Sequence, residues 1–337
     1  MRDAVFMHAS KNDLIGIIDE RERTCAKRLL RVQCTRQSSV LSGHMLHFAI
    51  PAIFVLIWST GFIAAKFAMP DSDLQLFLLV RLSITAVLMM LLARIAGAST
   101  WPAGRQFAYQ LLAGALMQGV FLCFSYFAIT RGMAAGVMSL LGSLQPLFTA
   151  LFVVFAGTKL PTRVWMGLLI GFTGVTFVLA PKISSTGTDS LSLLAVAAAL
   201  FSVLGITAGA LLQKWLEPVD LRAAASVQNL GGACVALMMT LIVGSGHWDG
   251  TLALWAALSW SVVVVSVIGI SLLMWMLRHG DATKVAALML LVPPLAALQA
   301  FFFFGETLSI TQFIGLALAL AGVSLVRSAR VLGNQRA

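Results

Sequence analysis

Ten stretches of this chain are each long and apolar enough to cross a bilayer as a helix. They are residues 48–69, 74–96, 107–129, 133–157, 163–181, 191–213, 222–244, 252–277, 284–304 and 311–327. A spanning helix needs roughly 20 mostly apolar residues, because it must cover about 30 Å of hydrocarbon. The links between them are short and carry Gly, Pro, Asp and Ser, as in "PDSD" at 70–73, "STWPAGR" at 99–105, "PKISSTGTDS" at 181–190 and "GSGHWDG" at 244–250. Links of that size join antiparallel neighbours. The alternating segments of about 10 residues that build a transmembrane barrel are missing. Charged residues make up 11% of the 337, against roughly 25% in a soluble domain. The expected fold is therefore an all-α integral membrane protein with ten transmembrane helices, and two soluble domains are excluded.

The formal net charge is +10, which by itself would suit nucleic acid. Its distribution argues otherwise. Eight of the 23 Lys and Arg lie in the first 36 residues, mixed with five acids, and no basic stripe is interleaved with aromatics. Most of the others flank apolar runs. With a cytoplasmic N-terminus, the inward loops hold Arg94, Arg105, Lys159, Arg163, Lys214, Arg222, Arg278 and Lys284, and the tail adds Arg327, Arg330 and Arg336. The outward loops hold only Arg131 and Lys182, and carry Asp71, Asp73, Asp189, Asp249 and Glu306. The positive-inside rule thus puts both termini in the cytoplasm. Trp101, Trp165, Trp215, Trp248 and Trp275 fall near span ends, as interfacial anchors do.

The chain is also written twice. A shift of 148 residues sets Gly61 on Gly209, Lys66 on Lys214, Gly132 on Gly280, Pro146 on Pro294, Gly157 on Gly305, Gly167 on Gly315 and Gly174 on Gly322. Apolar composition alone aligns Leu with Leu, but not this many Gly and Pro. The boundaries read as repeats at 45–182 and 190–328, a polar extension at 1–44 and a cytoplasmic tail at 329–337. Each repeat has five spans, an odd number, so the second enters the membrane in the opposite sense. Two inverted five-helix repeats are a signature of secondary transporters, in which substrate sites lie where the halves meet.

Several stretches carry a resemblance to a known group. They are "IWSTGFIAAKFA" (57–68), "LLVRLSI" (78–84), "AAGVMSLLGSLQPLFTALF" (134–152), "GLLIGFTGVTFVL" (167–179) and "FFFFGETLSITQFIGLALALAGVSLV" (301–326). Over about residues 46 to 328 the chain resembles the drug/metabolite transporter superfamily, specifically its ten-helix EamA-type members. The resemblance implies a bundle that moves a small metabolite, such as an amino acid or related compound, across the bacterial inner membrane, often outward. The alternative is a channel-like or scaffolding membrane protein without alternating access.

Candidate cavity residues follow from polarity and position. Pro146 and Pro294 occupy matched places in spans four and nine, with Pro293 beside the second. A mid-helix proline kinks the helix and frees a carbonyl, so these kinks either line a cavity or only shape packing. Arg81 lies about a third of the way into span two, and its counterpart is Asn229. It either snorkels to the nearer face or points inward, where it would suit a carboxylate. Lys66 and Lys214 close their helices, where snorkelling is expected. Trp58 and Trp260 lie inside their spans as core or stacking aromatics. Gln118, Ser125, Tyr126 and Gln145 add polar groups that face a wet cavity or bond a neighbouring helix. Small residues at Gly167, Gly171 and Gly174, matched by Gly315, Ala319 and Gly322, allow close helix contact, either inside the bundle or as a homodimer face on spans five and ten. Glu306 reads as a turn residue after a helix stopped by Gly305. Ser309 and Gln312 form a capping box for span ten, and a gating role at the outer mouth is the alternative for Glu306.

No acid or histidine lies deep in a span, so a buried proton relay has no obvious candidate. Cys25, Cys34, Cys123 and Cys234 are isolated, which predicts no disulfide and no metal. No cofactor or catalytic motif is present. The expected partners are a small molecule and lipid. Residues 1–44 read as a disordered extension, or as untranslated if Met45 is the start.

Overall fold

The computed structural model describes residues 49–155, 157, 160–183, 192–279, 288–306 and 309–334. The extension 1–44 and several predicted loop residues (Thr158, Lys159, Asp189 and Lys284 among them) lie outside these. The chain divides into two units, Met1–Ala52 and Ile53–Ala337. Residues 49–52 of the first are helical, and the contacts below belong to the second.

The protein is all-α, a ten-helix, two-repeat membrane fold. Its helices are α1 Ala49–Ala68, α2 Leu74–Ile95, α3 Gly104–Thr130, α4 Ala135–Phe155, α5 Thr162–Leu179, α6 Leu193–Gln213, α7 Leu221–Val243, α8 Leu252–Met276, α9 Met289–Phe304 and α10 Ile310–Val326. The first eight are long and apolar enough to cross a membrane, and the last two are shorter apolar helices. Backbone helix continues beyond α10 to Asn334. Helix starts carry the expected caps. Asp73 accepts from the Gln75 N–H, Asp220 from Arg222, Ser192 from Ala195 and Thr251 from Leu254. The Ser309–Gln312 box forms in both directions, at 3.0 and 3.3 Å.

Packing follows the duplication. α5 lies along α10, α2 along α7, and the first part of α4 along α9, so each of these helices meets its own repeat mate. Other contacts come in exchanged pairs: α1 on α8 matches α6 on α3, and α2 on α8 matches α7 on α3. Loops obey the same rule. At the end holding Asp71, Asp73, Asp249 and Glu306 (the acidic end), the α1–α2 and α7–α8 links are zipped together. The Asp73 N–H donates to the His247 carbonyl at 2.9 Å, and the Asp249 N–H to the Asp71 carbonyl at 2.9 Å. At the opposite, basic end the mates of those links are tied by the Asp220 N–H to Thr100 Oγ1 at 2.9 Å and by Gln106 Nε2 to the Glu217 carbonyl at 2.8 Å.

The small-residue face is used inside the chain. A Cβ at Gly322 would stand 2.4 Å from the Gly171 nitrogen, and one at Gly174 would stand 2.4 Å from the Ala319 nitrogen. The α5 and α10 backbones therefore touch directly, and those glycines are engaged within one bundle.

Four helices depart from α geometry at matched places. α3 contains a π segment, Ala115–Val120, and α8 contains one at Trp260–Ile268. α4 breaks at Leu144, between segments ending at Ser143 and starting at Gln145. α9 opens with a 3-10 turn, Met289–Leu291, before Val292–Phe304. The expected proline kinks are thus helix restarts. Pro146 and the Pro293–Pro294 pair sit in the first turn of a new segment, where a missing N–H is tolerated. Pi bulges tend to mark functional positions.

Gly174→Val puts side-chain atoms where the α10 backbone now lies. It is expected to destabilise the bundle by about 1–3 kcal/mol, read as a lowered thermal midpoint of the detergent-purified protein. Leu169→Val, at a lipid-facing position on the same helix that is 72% exposed, leaves that midpoint unchanged.

Candidate functional site

α1 is interrupted as well. Thr60, in "WSTGF", has ψ near −5° and interrupts the helix before Gly61–Ala68 begins. Its hydroxyl donates to the Ile57 carbonyl at 2.6 Å, and that of Ser59 to Leu56 at 2.8 Å. Such side chain to backbone bonds offer the chain an alternative to the helical ladder. Three other helices converge on the break. Trp260 of α8 donates its indole N–H to Thr60 Oγ1 at 2.9 Å. Gln299 of α9 reaches the Leu56 carbonyl at 3.5 Å. The Tyr126 hydroxyl of α3 reaches the Gly61 carbonyl at 3.5 Å. The Trp58 ring packs on Phe54 at 5.2 Å between centroids and borders Gly269 of α8.

Behind Tyr126 stands Arg81. Its Nη1 donates to the Tyr126 hydroxyl at 2.9 Å, and the residue is 6% exposed. Of the two alternatives, inward pointing is the one observed. Its Nε has no hydrogen-bond partner, nor does Thr85 Oγ1, one turn further along α2. Ser261 Oγ, in the α8 segment that packs on α2, is also buried without a partner. Among the described residues Arg81 makes no ion pair, and the described acids (Asp71, Asp73, Glu217, Asp220, Asp249 and Glu306) all sit at helix ends or in links. A guanidinium stays charged in proteins, and placing one at membrane depth costs at least about 2.5 kcal/mol.

The other predicted residues divide. Gln118 lies in the α3 π segment and packs its Cβ against Gly232 of α7. Gln145 and Pro146 are half-buried at the α4 restart, and Pro294 is half-buried in the first turn of the α9 segment. Asn229 is buried, but its amide donates to the Ala225 carbonyl of its own helix at 2.8 Å. It is the neighbouring Gln228 that bonds across helices, to Gln110 at 2.7 Å. Ser125 of α3 bonds Ser202 of α6 at 3.2 Å. Lys66 pairs with Glu306, and its ammonium stands 4.7 Å from the Phe304 ring centre. Glu306 also accepts from the Ala135 N–H at 3.4 Å, so it is more than the turn marker that its position suggested. Thr60, Thr85, Ser261 and Gln299 were not singled out from sequence. Gln299, alone in "LAALQAFFFF", was the one with a visible signal.

Two inverted five-helix halves, interrupted at matched places, define a polytopic membrane protein of the transporter class. The EamA-like transporter family matches residues 47–180 and again 190–328, and the chain belongs to that family. It is 24% identical over 300 residues to the uncharacterized transporter YvbV of Bacillus subtilis, covering 82% of this chain and 90% of that one. It is 24% identical over 306 residues to a chloroplastic WAT1-related protein of Arabidopsis thaliana, covering 86% of this chain and 72% of that protein. An uncharacterized transporter of Archaeoglobus fulgidus shares 27% over 201 residues, or 59% of this chain and 69% of that one. A solved crystal structure aligns with TM-score 0.59 at 18% identity, over 84% of this chain and 97% of the other, which supports the fold.

Tyr126→Phe removes the neutral partner of a buried guanidinium. It is expected to cost about 1–3 kcal/mol, measured as a lower thermal midpoint of the purified protein, while membrane insertion is retained.

Proposed function

We propose that this protein is a secondary transporter that exports a small metabolite, an amino acid or a related carboxylate, by alternating access. The observation that carries the reading is the pairing of interruptions. The third helix of each half holds a π segment, and the fourth restarts at a proline. In lipid, irregular backbone is tolerated only where protein or a wet cavity covers it. Matched irregularities in two inverted halves are the pointer to a binding site between them. Two halves of opposite sense can exchange conformations, which makes one opening the near mirror image of the other.

In this reading the basic end faces the cytoplasm of a bacterial inner membrane, with both termini inside, as the lysines and arginines of that side require. Substrate binds beside the α1 break. Arg81 meets its carboxylate, aided by the unpartnered hydroxyls of Thr85 and Ser261. Trp58, Trp260 and Gln299 form the wall toward α8 and α9. Gln118, Gln145, Pro146 and Pro294 mark the flexing helices. A homodimer through α5 and α10 would use their outward side chains, such as Trp165 and Phe313, because the glycine face is occupied.

Metabolite profiling of medium and cells, with and without the gene, identifies the compound whose external level depends on it. Counterflow of that compound in proteoliposomes then separates a carrier, which exchanges, from a pore, which does not. Arg81→Ala is expected to lower counterflow by about 10- to 100-fold, the loss of one charge-assisted bond, with normal membrane levels. Wild-type flux in that variant would remove Arg81 from the substrate site.

A further inference from the structure

The Lys66–Glu306 pair joins parts of both halves at one end of the bundle. Lys66 ends α1. Glu306 follows α9 directly, where Gly305 in the left-handed region (φ 66°) turns the chain, and its Oε1 also receives the first N–H of α4. Beneath the pair lies a small apolar plug of Ile63, Ala135 and Ala300, flanked by Phe62 and Phe304. Phe67 adds ring contacts to Phe303 and Phe304 at 5.5 and 4.8 Å. At the acidic end a single carboxylate thus ties together three helices, α1, α4 and α9. The carboxylate is 15% exposed and its lysine 28%, so water screens the pair only in part.

The duplication supplies the second half of the argument. Lys66 has a mate, Lys214, but the residue matching Glu306 is Thr158. Thr158 lies outside the described residues, but a threonine hydroxyl cannot form the ion pair. The lysine is thus duplicated and its partner is not.

We infer that Lys66 and Glu306 form a one-sided latch, which biases the resting protein toward the state closed at the acidic end. The inference rests on alternating access. If the halves exchange roles, closure of the acidic end gains an ion pair that closure of the basic end lacks. Substrate entering from the basic end therefore finds the competent state already populated, which favours binding from that side. Opening the acidic end requires the pair to separate and hydrate.

Impermeant maleimide labelling of Ala300→Cys tests this, in a background with the four native cysteines replaced by alanine and in proteoliposomes of known orientation. Ala300 is 1% exposed in the plug, so its labelling from the acidic end reports opening. Glu306→Thr copies the residue of the other repeat and is expected to speed labelling about fivefold or more, and Lys66→Met by a similar factor. Because both remove one interaction, the double variant is expected to label no faster than either single. A wild-type labelling rate in Glu306→Thr would overturn the latch, as would a double-variant rate equal to the product of the two single effects. Counterflow measured on the same vesicles keeps this separate from the reading beneath it. Exchange that persists with unchanged labelling removes only the latch, whereas absent exchange in the wild type removes alternating access.

Discussion

In hydrocarbon there is no water to satisfy a backbone N–H or carbonyl, and each one left unpaired costs several kcal/mol. Everything distinctive in this bundle follows from that constraint. It forces the chain into helices throughout the described spans, and it makes any departure from α geometry informative. The break at Thr60 survives because hydroxyls of Ser59 and Thr60 take up nearby carbonyls and because Trp260, Gln299 and Tyr126 cover the spot. The restarts at Leu144 and Val292 survive because proline has no N–H to leave unpaired. Irregularity is confined to where it can be covered, and Arg81 stands beside one such place.

Much of the architecture could be read from residues alone. Ten apolar runs correspond to ten helices, and one shift of 148 residues identifies which helices are mates. The Ser309–Gln312 cap and the stop at Gly305 were also legible, because they are local. What escaped was mostly long-range or conformational. Lys66 and Glu306 are 240 positions apart, so each read separately as a helix-end charge. The π segments at Ala115–Val120 and Trp260–Ile268 have no sequence signature that differs from an ordinary apolar helix. The direction of Arg81 could not be read either, since an arginine 7 residues into a helix can reach either water or the core. Proline positions were legible but their consequence was not. They begin segments rather than bend continuous ones.

The two ends show how closely the halves correspond and where they part. The zipped links at the acidic end have direct mates at the basic end, and aspartates, Asp73 and Asp220, cap α2 and α7 alike. Within that correspondence the replacement of Glu306 by Thr158 in the other repeat stands out as a difference in charge. Two conformations of similar packing can differ in population through one such group, because a few kcal/mol suffices to shift a two-state equilibrium by orders of magnitude.

The seam between α5 and α10 has a mechanical consequence. Along it the backbones touch directly at Gly174 and Gly322, while Val178 and Val326 pack their side chains against Gly315 and Gly167. Helices already in backbone contact cannot approach further. The seam therefore sets a fixed spacing between the last helices of the two halves.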